Sequence, residues 1–216
     1  MNKRMKRSLI LSAAFLLYTI VIKTADVRAI GPEGSSVGFG LLNGAIAKAM
    51  GYHQLWYRIS EIAGYLALAV IAVYGLVGLM QLIKRKSVLS VDRDILVLGC
   101  FYVAVGVFYV LFNKLVINYR PVILDEGLEA SYPSSHTMLG LCVFLSAVMM
   151  ENFGKNGGSR IYKNVLKGLA VVLVVTRTLS GVHWITDIIG GAILSAALLS
   201  FFDWGLERFA GKKDQK

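Results

Sequence analysis

Three short polar stretches in the second half of the chain contain side chains that can do chemistry: "NYRPV", "YPSSHT" and "TRTLSGVHWITD". In the third, His183 and Asp187 are four residues apart, so on a helix they share one face and can hydrogen-bond. A carboxylate that holds one imidazole nitrogen fixes the tautomer and leaves the other nitrogen free to attack an electrophile. The spacing predicts an oriented histidine nucleophile, and the alternative is a buried pair that only joins two helices.

The stretch "YPSSHT" stands where an apolar run begins, which is typical of a helix start. Ser134 or Ser135 can cap this helix, whose first turn leaves backbone N–H groups and a positive dipole end for an anion. His136, in the same turn, can donate a proton to a departing alkoxide. The alternative is simple N-capping with a histidine at the membrane interface.

Two arginines accompany these histidines. Arg120 precedes Pro121, which fixes the local backbone, and Arg177 precedes the loop that carries His183. A guanidinium can bind two phosphate oxygens at once, although Arg120 taken alone can also anchor a helix end at lipid headgroups. Cations, histidines and one carboxylate at the ends of apolar segments predict a pocket for an anion.

The elements that carry these residues are predicted to be membrane helices. The chain has 216 residues, of which 56% are hydrophobic and only 17% charged, and its mean hydropathy is +0.63. Runs of roughly 20 apolar residues suffice to cross a bilayer. The fold class is therefore expected to be an all-α integral membrane protein with six transmembrane helices, at about 8–22, 59–83, 95–116, 137–152, 165–178 and 184–202.

The distribution of basic residues predicts the orientation. Sixteen of the 23 Lys and Arg residues lie at the N-terminus, in the 84–93 and 155–167 loops, or from Arg208 onward. Cytoplasmic loops are enriched in Lys and Arg, so both termini are expected in the cytoplasm and the active-site pocket near the outer face. The net charge of +10 is then a topology signal and an attraction to anionic lipid, with no nucleic acid as partner. The first span is expected to be an uncleaved signal anchor, with a cleaved secretory signal as the alternative.

The whole chain, 1–216, is expected to form a single domain. The segment at about 24–57 is predicted to carry a helix whose apolar face contains Phe39, Leu42, Ile46 and Met50. This helix either lies at the interface beside a lipid entrance or packs over the bundle without handling substrate. The tail at about 210–216 is expected to be frayed.

Taken together, "RP", "PSSH" and "R–x5–H–x3–D" resemble the three signature motifs of the type 2 phosphatidic acid phosphatase (PAP2) superfamily, over about 114–187. The resemblance implies that His183 is the nucleophile and forms a phosphohistidine, that Asp187 orients it, and that His136 is the general acid. It also implies that no metal or other cofactor is required. The implied phosphate ligands are Arg120, Arg177, Ser134, Ser135 and Lys114.

Three positions depart from the family pattern K–x6–R–P, P–S–G–H and S–R–x5–H–x3–D. Ser135 replaces the glycine of the second motif, and Thr176 replaces a serine of the third. Five residues rather than six separate Lys114 from Arg120, so Asn113 stands at the matching position. On a helix this difference rotates the lysine by about 100°.

The expected function is that of an integral plasma-membrane enzyme, a metal-independent phosphatase that hydrolyses a lipid phosphate or diphosphate on the extracytoplasmic side. Undecaprenyl diphosphate, phosphatidate and phosphatidylglycerol phosphate are the candidate substrates, and the lipid bilayer is the expected partner. The sequence leaves the oligomeric state open. The alternatives are a lipid-phosphate transporter or flippase, and a catalytically weak relative that binds lipid.

Overall fold

The computed structural model describes residues 2–124, 127–154 and 158–211, which contain seven α-helices and no β-strand. The helices are α1 (Lys3–Thr24), α2 (Gly40–Met50), α3 (Gln54–Arg85), α4 (Arg93–Lys114), α5 (Ser135–Phe153), α6 (Arg160–Leu179) and α7 (Ile185–Gly205). A π-helical turn over Leu206–Ala210 extends α7. The predicted all-helical fold is thus confirmed, and the predicted frayed tail lies outside the described residues from position 212 onward.

Polar side chains begin three of these helices. Asn2, Ser134 and Ser159 each accept a hydrogen bond from a backbone N–H two or three residues later, at 2.9, 3.4 and 3.4 Å. Such caps satisfy N–H groups that have no partner within the helix. Ser134 therefore has the capping role that its sequence position predicts.

Helices α5 and α7 form the centre of the molecule. In the apolar 18-residue stretches of α5 and α7, 56% and 61% of the residues are buried, whereas only 6% are buried in that of α3. Helix α7 packs on α1 and α5, and α5 packs also on α3 and α6. The outer helices turn large apolar side chains away from the protein, such as Leu16, Leu76 and Val103, which is the pattern expected where lipid is the solvent.

Five helices, α1, α3, α4, α5 and α7, are long and apolar enough to cross a membrane, within the part of the chain that the structure describes. The protein is therefore a multi-pass membrane protein. Helix α6, predicted as a sixth span, is not among the five, because Arg160, Lys163, Lys167 and Arg177 lower its hydropathy. Helix α3 is longer than predicted, with 32 residues.

The start of α1 lies beside the end of α7. Arg4 forms an ion pair with Asp203, and Asn2 donates a hydrogen bond to Glu207 at 2.9 Å. The predicted catalytic residues lie at the opposite end of α7, where that helix begins. Both ends of the described chain are therefore on the side of the bundle remote from those residues.

Helix α2 covers the connection between α6 and α7. Asn43, which is buried, donates to the hydroxyl of Thr186 at 3.0 Å, and the backbone N–H of His53 donates to the carbonyl of Ser180 at 3.0 Å. The predicted helix is present: Ile46 and Met50 of its predicted apolar face lie with the buried Asn43 against the connection, whereas Leu42 is 48% exposed. The covering position corresponds to the alternative in which this helix packs over the bundle.

Candidate active site

His183 lies in the short connection between α6 and α7, where its side chain is almost fully buried. Its Nε2 is 3.2 Å from Nη2 of Arg177. A guanidinium can only donate hydrogen bonds, so Nε2 must be the acceptor and carry the lone pair, and Nδ1 must carry the proton. The contact with Arg177 thus fixes a tautomer in which Nε2 is a potential nucleophile.

Burial keeps His183 neutral. Desolvation, followed by the positive charges of Arg177 and Arg120, holds the pKa of His183 well below its ordinary value. A protonated imidazole has no free lone pair, so the low pKa keeps Nε2 available for attack at neutral pH.

Asp187 is linked to His183 through a third residue, Ser131. The Oγ of Ser131 lies 3.0 Å from Nδ1 of His183 and donates to Oδ2 of Asp187 at 2.5 Å, whereas Nδ1 and Oδ2 are 3.8 Å apart. The prediction of a direct hydrogen bond between His183 and Asp187 on one helix face is therefore wrong. His183 precedes the helix, whose first residue is Ile185, and a hydroxyl fills the gap that this geometry leaves.

Asp187 also ties together the loops of the site. It accepts from Nδ2 of Asn118 and from the backbone N–H of Trp184, both at 3.0 Å, and its own carbonyl accepts from the N–H of Ser134 at 3.0 Å. One residue thereby joins the connection before α5, the connection before α7 and the segment that carries Arg120. This hydrogen bonding supports a carboxylate at a fully buried position.

The loop before α5 lies directly against α7 at two glycines. A Cβ on Gly190 would come within 2.4 Å of the Tyr132 ring, and one on Gly191 within 2.9 Å of the carbonyl oxygen of Ser134. The Tyr132 ring is also held from the other side, where its hydroxyl hydrogen-bonds Thr19 of α1 at 2.7 Å. Close approach at the glycines places Ser131 within reach of Asp187.

His136 occupies the first turn of α5, as predicted. Its Nε2 is 3.0 Å from Oε1 of Glu61 on α3, and the same oxygen accepts from Nη1 of Arg177 at 3.1 Å. Gly64, one turn after Glu61, makes room for the imidazole, because a Cβ there would lie 3.2 Å from Cδ2 of His136. Helix α3 is therefore a wall of the site.

Two arginines supply the positive charge. The side chain of Arg177 is fully buried, where Ser60 accepts from it at 3.3 Å and its guanidinium lies 5.3 Å from the centre of the Tyr57 ring. Arg120 is 12% exposed and forms an ion pair with Glu129. Both predicted guanidinium groups are thus present in the protein interior near the catalytic loops.

Five buried polar atoms of the site have no hydrogen-bond partner within the described residues: Arg120 Nε, Arg177 Nε, His136 Nδ1, Thr137 Oγ1 and Asn118 Oδ1. Buried donors without acceptors are uncommon because each costs about 1–3 kcal/mol. Two of them are guanidinium N–H groups, which favour anionic oxygens. The arrangement is suited to a bound anion that supplies the missing acceptors.

The remaining predicted phosphate ligands differ in their placement. Ser134 is buried at the helix cap, and Ser135 begins α5 with a helical backbone, so a side chain is accommodated where the family has glycine. Lys114 and Asn113 are both exposed at the end of α4, and none of the described contacts of the site involves them. The structure therefore does not bring either residue to the two histidines.

Two apolar grooves lie between helices in the described part of the chain, and the smaller of them reaches the site. The larger, of about 910 Å³, lies between α1, α4 and α7 and contacts no catalytic residue. The smaller, of about 360 Å³, is lined by α3, α4 and α5, through residues such as Leu68, Val105 and Leu139, and ends at Glu61 and His136. We call the smaller one the tail groove. The larger groove is thus not the one that reaches Glu61 and His136.

Sequence reasoning did not include four residues that complete the site: Tyr57, Glu61, Asn118 and Ser131. One of them left a signal, since Glu61 is an ionisable residue within a predicted membrane span, which by itself indicates a functional position. Ser131 and Asn118 lie a few residues from the motifs and carry no comparable signal. Only folding reveals that they contact Asp187.

Comparisons with known proteins identify the family and a similar fold. The family model of the PAP2 superfamily matches residues 62–208. A crystal structure described as the first transmembrane PAP2 type phosphatidylglycerolphosphate phosphatase, from Bacillus subtilis, is similar in fold, with a TM-score of 0.62 and 20% identity, covering 94% of this chain and 98% of the other.

A second crystal structure, of Aquifex aeolicus LpxE, also has 20% identity and covers 76% of this chain and 92% of its own, with a TM-score of 0.39. No curated protein matches the sequence significantly. The family match spans more than half of the chain and includes Arg120, both motif histidines and Asp187, so the protein belongs to the PAP2 superfamily.

Proposed function

We propose that the protein is a lipid phosphatase that hydrolyses a lipid phosphate or diphosphate through a phosphohistidine on His183. The observation that carries this proposal is the buried His183, whose Nε2 lies 3.2 Å from Nη2 of the buried Arg177 and whose Nδ1 lies 3.0 Å from Ser131. Binding an anion requires only cations, whereas an imidazole held in one tautomer by Ser131 and Asp187 suits nucleophilic attack.

In the first step, Nε2 of His183 attacks phosphorus and forms the N–P bond while the bond from phosphorus to the lipid oxygen breaks. His136 gives its proton to that oxygen as it leaves. Arg177 and Arg120 neutralise charge on the phosphoryl oxygens, which is the main requirement of phosphoryl transfer.

In the second step, a water molecule attacks phosphorus and the N–P bond breaks, which restores His183 and yields inorganic phosphate. His136, now neutral, takes the proton from the attacking water. All groups in this scheme belong to the chain, so we propose that turnover is independent of added metal.

The tail groove accommodates the lipid chain. Its lining is predominantly apolar, its position between α3, α4 and α5 faces the bilayer region, and its inner end is the imidazole of His136. A lipid can therefore keep its hydrocarbon in the groove while the phosphate enters the polar pocket.

We further propose that the site faces the extracytoplasmic side of the plasma membrane and that both termini are cytoplasmic. The basic N-terminal residues lie at the end of the bundle remote from His183, and basic residues favour the cytoplasm. This topology includes α6 as a sixth span, since its 20 residues extend over about 30 Å. Helices α3 and α5 pack against α6; Thr176 and Arg177 in its last turn are buried, whereas Arg160 and Lys167 in its first half are exposed.

Three substrate types fit this scheme: undecaprenyl diphosphate, phosphatidate and phosphatidylglycerol phosphate. The last is the type named for the Bacillus subtilis protein of similar fold. The runner-up function is a catalytically weak lipid-binding relative, favoured by the position of Lys114 outside the site. A lipid-phosphate flippase is a further alternative, for which a fixed nucleophile has no use.

The proposal is tested by phosphate release from the three lipids, with purified protein in detergent and EDTA throughout. We expect release that survives EDTA and disappears in His183→Ala. His53→Ala is the matched control, because the His53 side chain is exposed outside the pocket and its two described hydrogen bonds, with Ser180 and Tyr57, are through the backbone. Lipid binding without phosphate release by the folded protein would favour the binding or transport alternatives.

A further inference from the structure

Glu61 stands where two groups of the proposed mechanism have to meet the substrate. One carboxylate oxygen, Oε1, is 3.0 Å from Nε2 of His136 and 3.1 Å from Nη1 of Arg177. In the proposed reaction His136 reaches the leaving oxygen and Arg177 reaches a phosphoryl oxygen. A single oxygen of the protein therefore engages both the proposed acid and a proposed phosphate ligand.

A carboxylate oxygen and a phosphoryl oxygen bind such donors in the same way, as anionic acceptors of charge-assisted hydrogen bonds. Two anions at these donors would repel each other, so binding of a phosphate is coupled to withdrawal of the carboxylate. The Glu61 side chain is 24% exposed at the inner end of the tail groove, which leaves it room to move away from the two donors.

Arg177 does not depend on Glu61 for all of its contacts. It also contacts Ser60 at 3.3 Å, Nε2 of His183 at 3.2 Å and the ring of Tyr57 at 5.3 Å. Withdrawal of Glu61 thus leaves the guanidinium held in the pocket with a donor free for a new anion. Because Arg177 keeps these other contacts, Glu61 is not required to hold its guanidinium in place.

We propose that the Glu61 carboxylate is a resident anion of the phosphate pocket. The substrate displaces this carboxylate, and the returning carboxylate expels inorganic phosphate. The inference rests on the proposed phosphatase function. Its consequence is selectivity for substrate class: a lipid phosphate gains additional binding from its hydrocarbon in the tail groove and displaces the carboxylate. A soluble phosphate lacks that contribution and competes poorly.

The experiment measures inhibition of lipid phosphate hydrolysis by inorganic phosphate in the wild type, Glu61→Gln and Asp26→Asn. Glutamine keeps the shape and removes the charge, so we expect its inhibition constant for phosphate to fall at least fivefold. Hydrolysis of a water-soluble phosphate monoester should rise relative to the lipid substrate. Asp26 is the matched control. It is an exposed carboxylate outside the pocket, and its Oδ1 lies 2.6 Å from Nε of Arg28. The inhibition constant of Asp26→Asn for phosphate should stay within twofold of that of the wild type.

A Glu61→Gln protein with reduced turnover and an unchanged inhibition constant would overturn the inference, since Glu61 would then only position His136. If Glu61→Gln does not fold, Glu61→Asp serves instead, because its shorter side chain keeps the charge but cannot span both donors; an unchanged constant there has the same meaning. Failure of the proposed function is seen separately, as a wild type that releases no phosphate from any lipid.

Discussion

Removal of the Ser131 hydroxyl is the most direct test of how His183, the proposed nucleophile, is held. In Ser131→Ala, Nδ1 of His183 is left 3.8 Å from Oδ2 of Asp187, beyond the 2.7–3.2 Å of an N–H···O hydrogen bond. The imidazole then loses its described acceptor, and Asp187 loses one of its donors. Without the Ser131–Asp187 link, no described acceptor stabilises the tautomer of His183 that has its proton on Nδ1 and a free Nε2.

The magnitude follows from the kind of bond that is lost. Hydrogen bonds to charged groups contribute about 1.5–3 kcal/mol. If this contribution is lost in the transition state, kcat falls about 10- to 150-fold. KM should change little, because Ser131 is buried behind His183 and does not reach the tail groove.

The assay is steady-state phosphate release from the best lipid substrate, with Ser146→Ala as the matched control. Ser146 is an equally buried serine whose hydroxyl bonds only Val143 and Tyr102 among the described residues, so its kcat should be retained. In the Asp187→Asn background, Ser131→Ala should add little, because the two residues act on His183 in series. A Ser131→Ala enzyme with wild-type kcat, or full additivity of the two changes, would refute the relay.

Two further predictions concern protonation and the first motif. Because burial holds the pKa of His183 well below its ordinary value, its imidazole should become protonated only at a lower pH than an ordinary histidine. Nitrogen NMR of the labelled protein, assigned with His183→Ala, would contradict this if protonation had its midpoint near 6.5. The unfolded chain does take up that proton near pH 6.5, so the free energy of unfolding should decrease as pH falls below it. Lys114→Ala and Asn113→Ala should each change kcat/KM less than twofold, since both side chains are exposed outside the site; a tenfold loss in either variant would place that residue at the phosphate.

Much of the candidate site was predictable because the relevant signals are local. The serines before α5 have the form of a helix cap, and Ser134 makes that bond. The catalytic motif residues precede or begin apolar helices, where a histidine or aspartate is difficult to explain by packing alone. The structure places His136 and His183 at such helix starts.

The relation of His183 to Asp187 shows where local reasoning ends. A spacing of four residues predicts a direct contact only if both residues are helical, and here the helix begins after His183. Where a helix begins depends on capping and on packing of the flanking loop. The resulting gap is filled by Ser131, more than 50 residues earlier in the chain.

The sequence by itself determined the membrane class, the approximate positions of the helices and the three motifs, because hydropathy, capping and motif spacing act over short stretches of chain. The tertiary structure decided which polar side chains converge. It brought Glu61 from α3 to His136 and Arg177, and it left Lys114 outside. The physical reason is that rotation and packing of one helix against another depend on contacts distributed over the whole bundle. No local pattern encodes which side chain meets a pocket built by other helices.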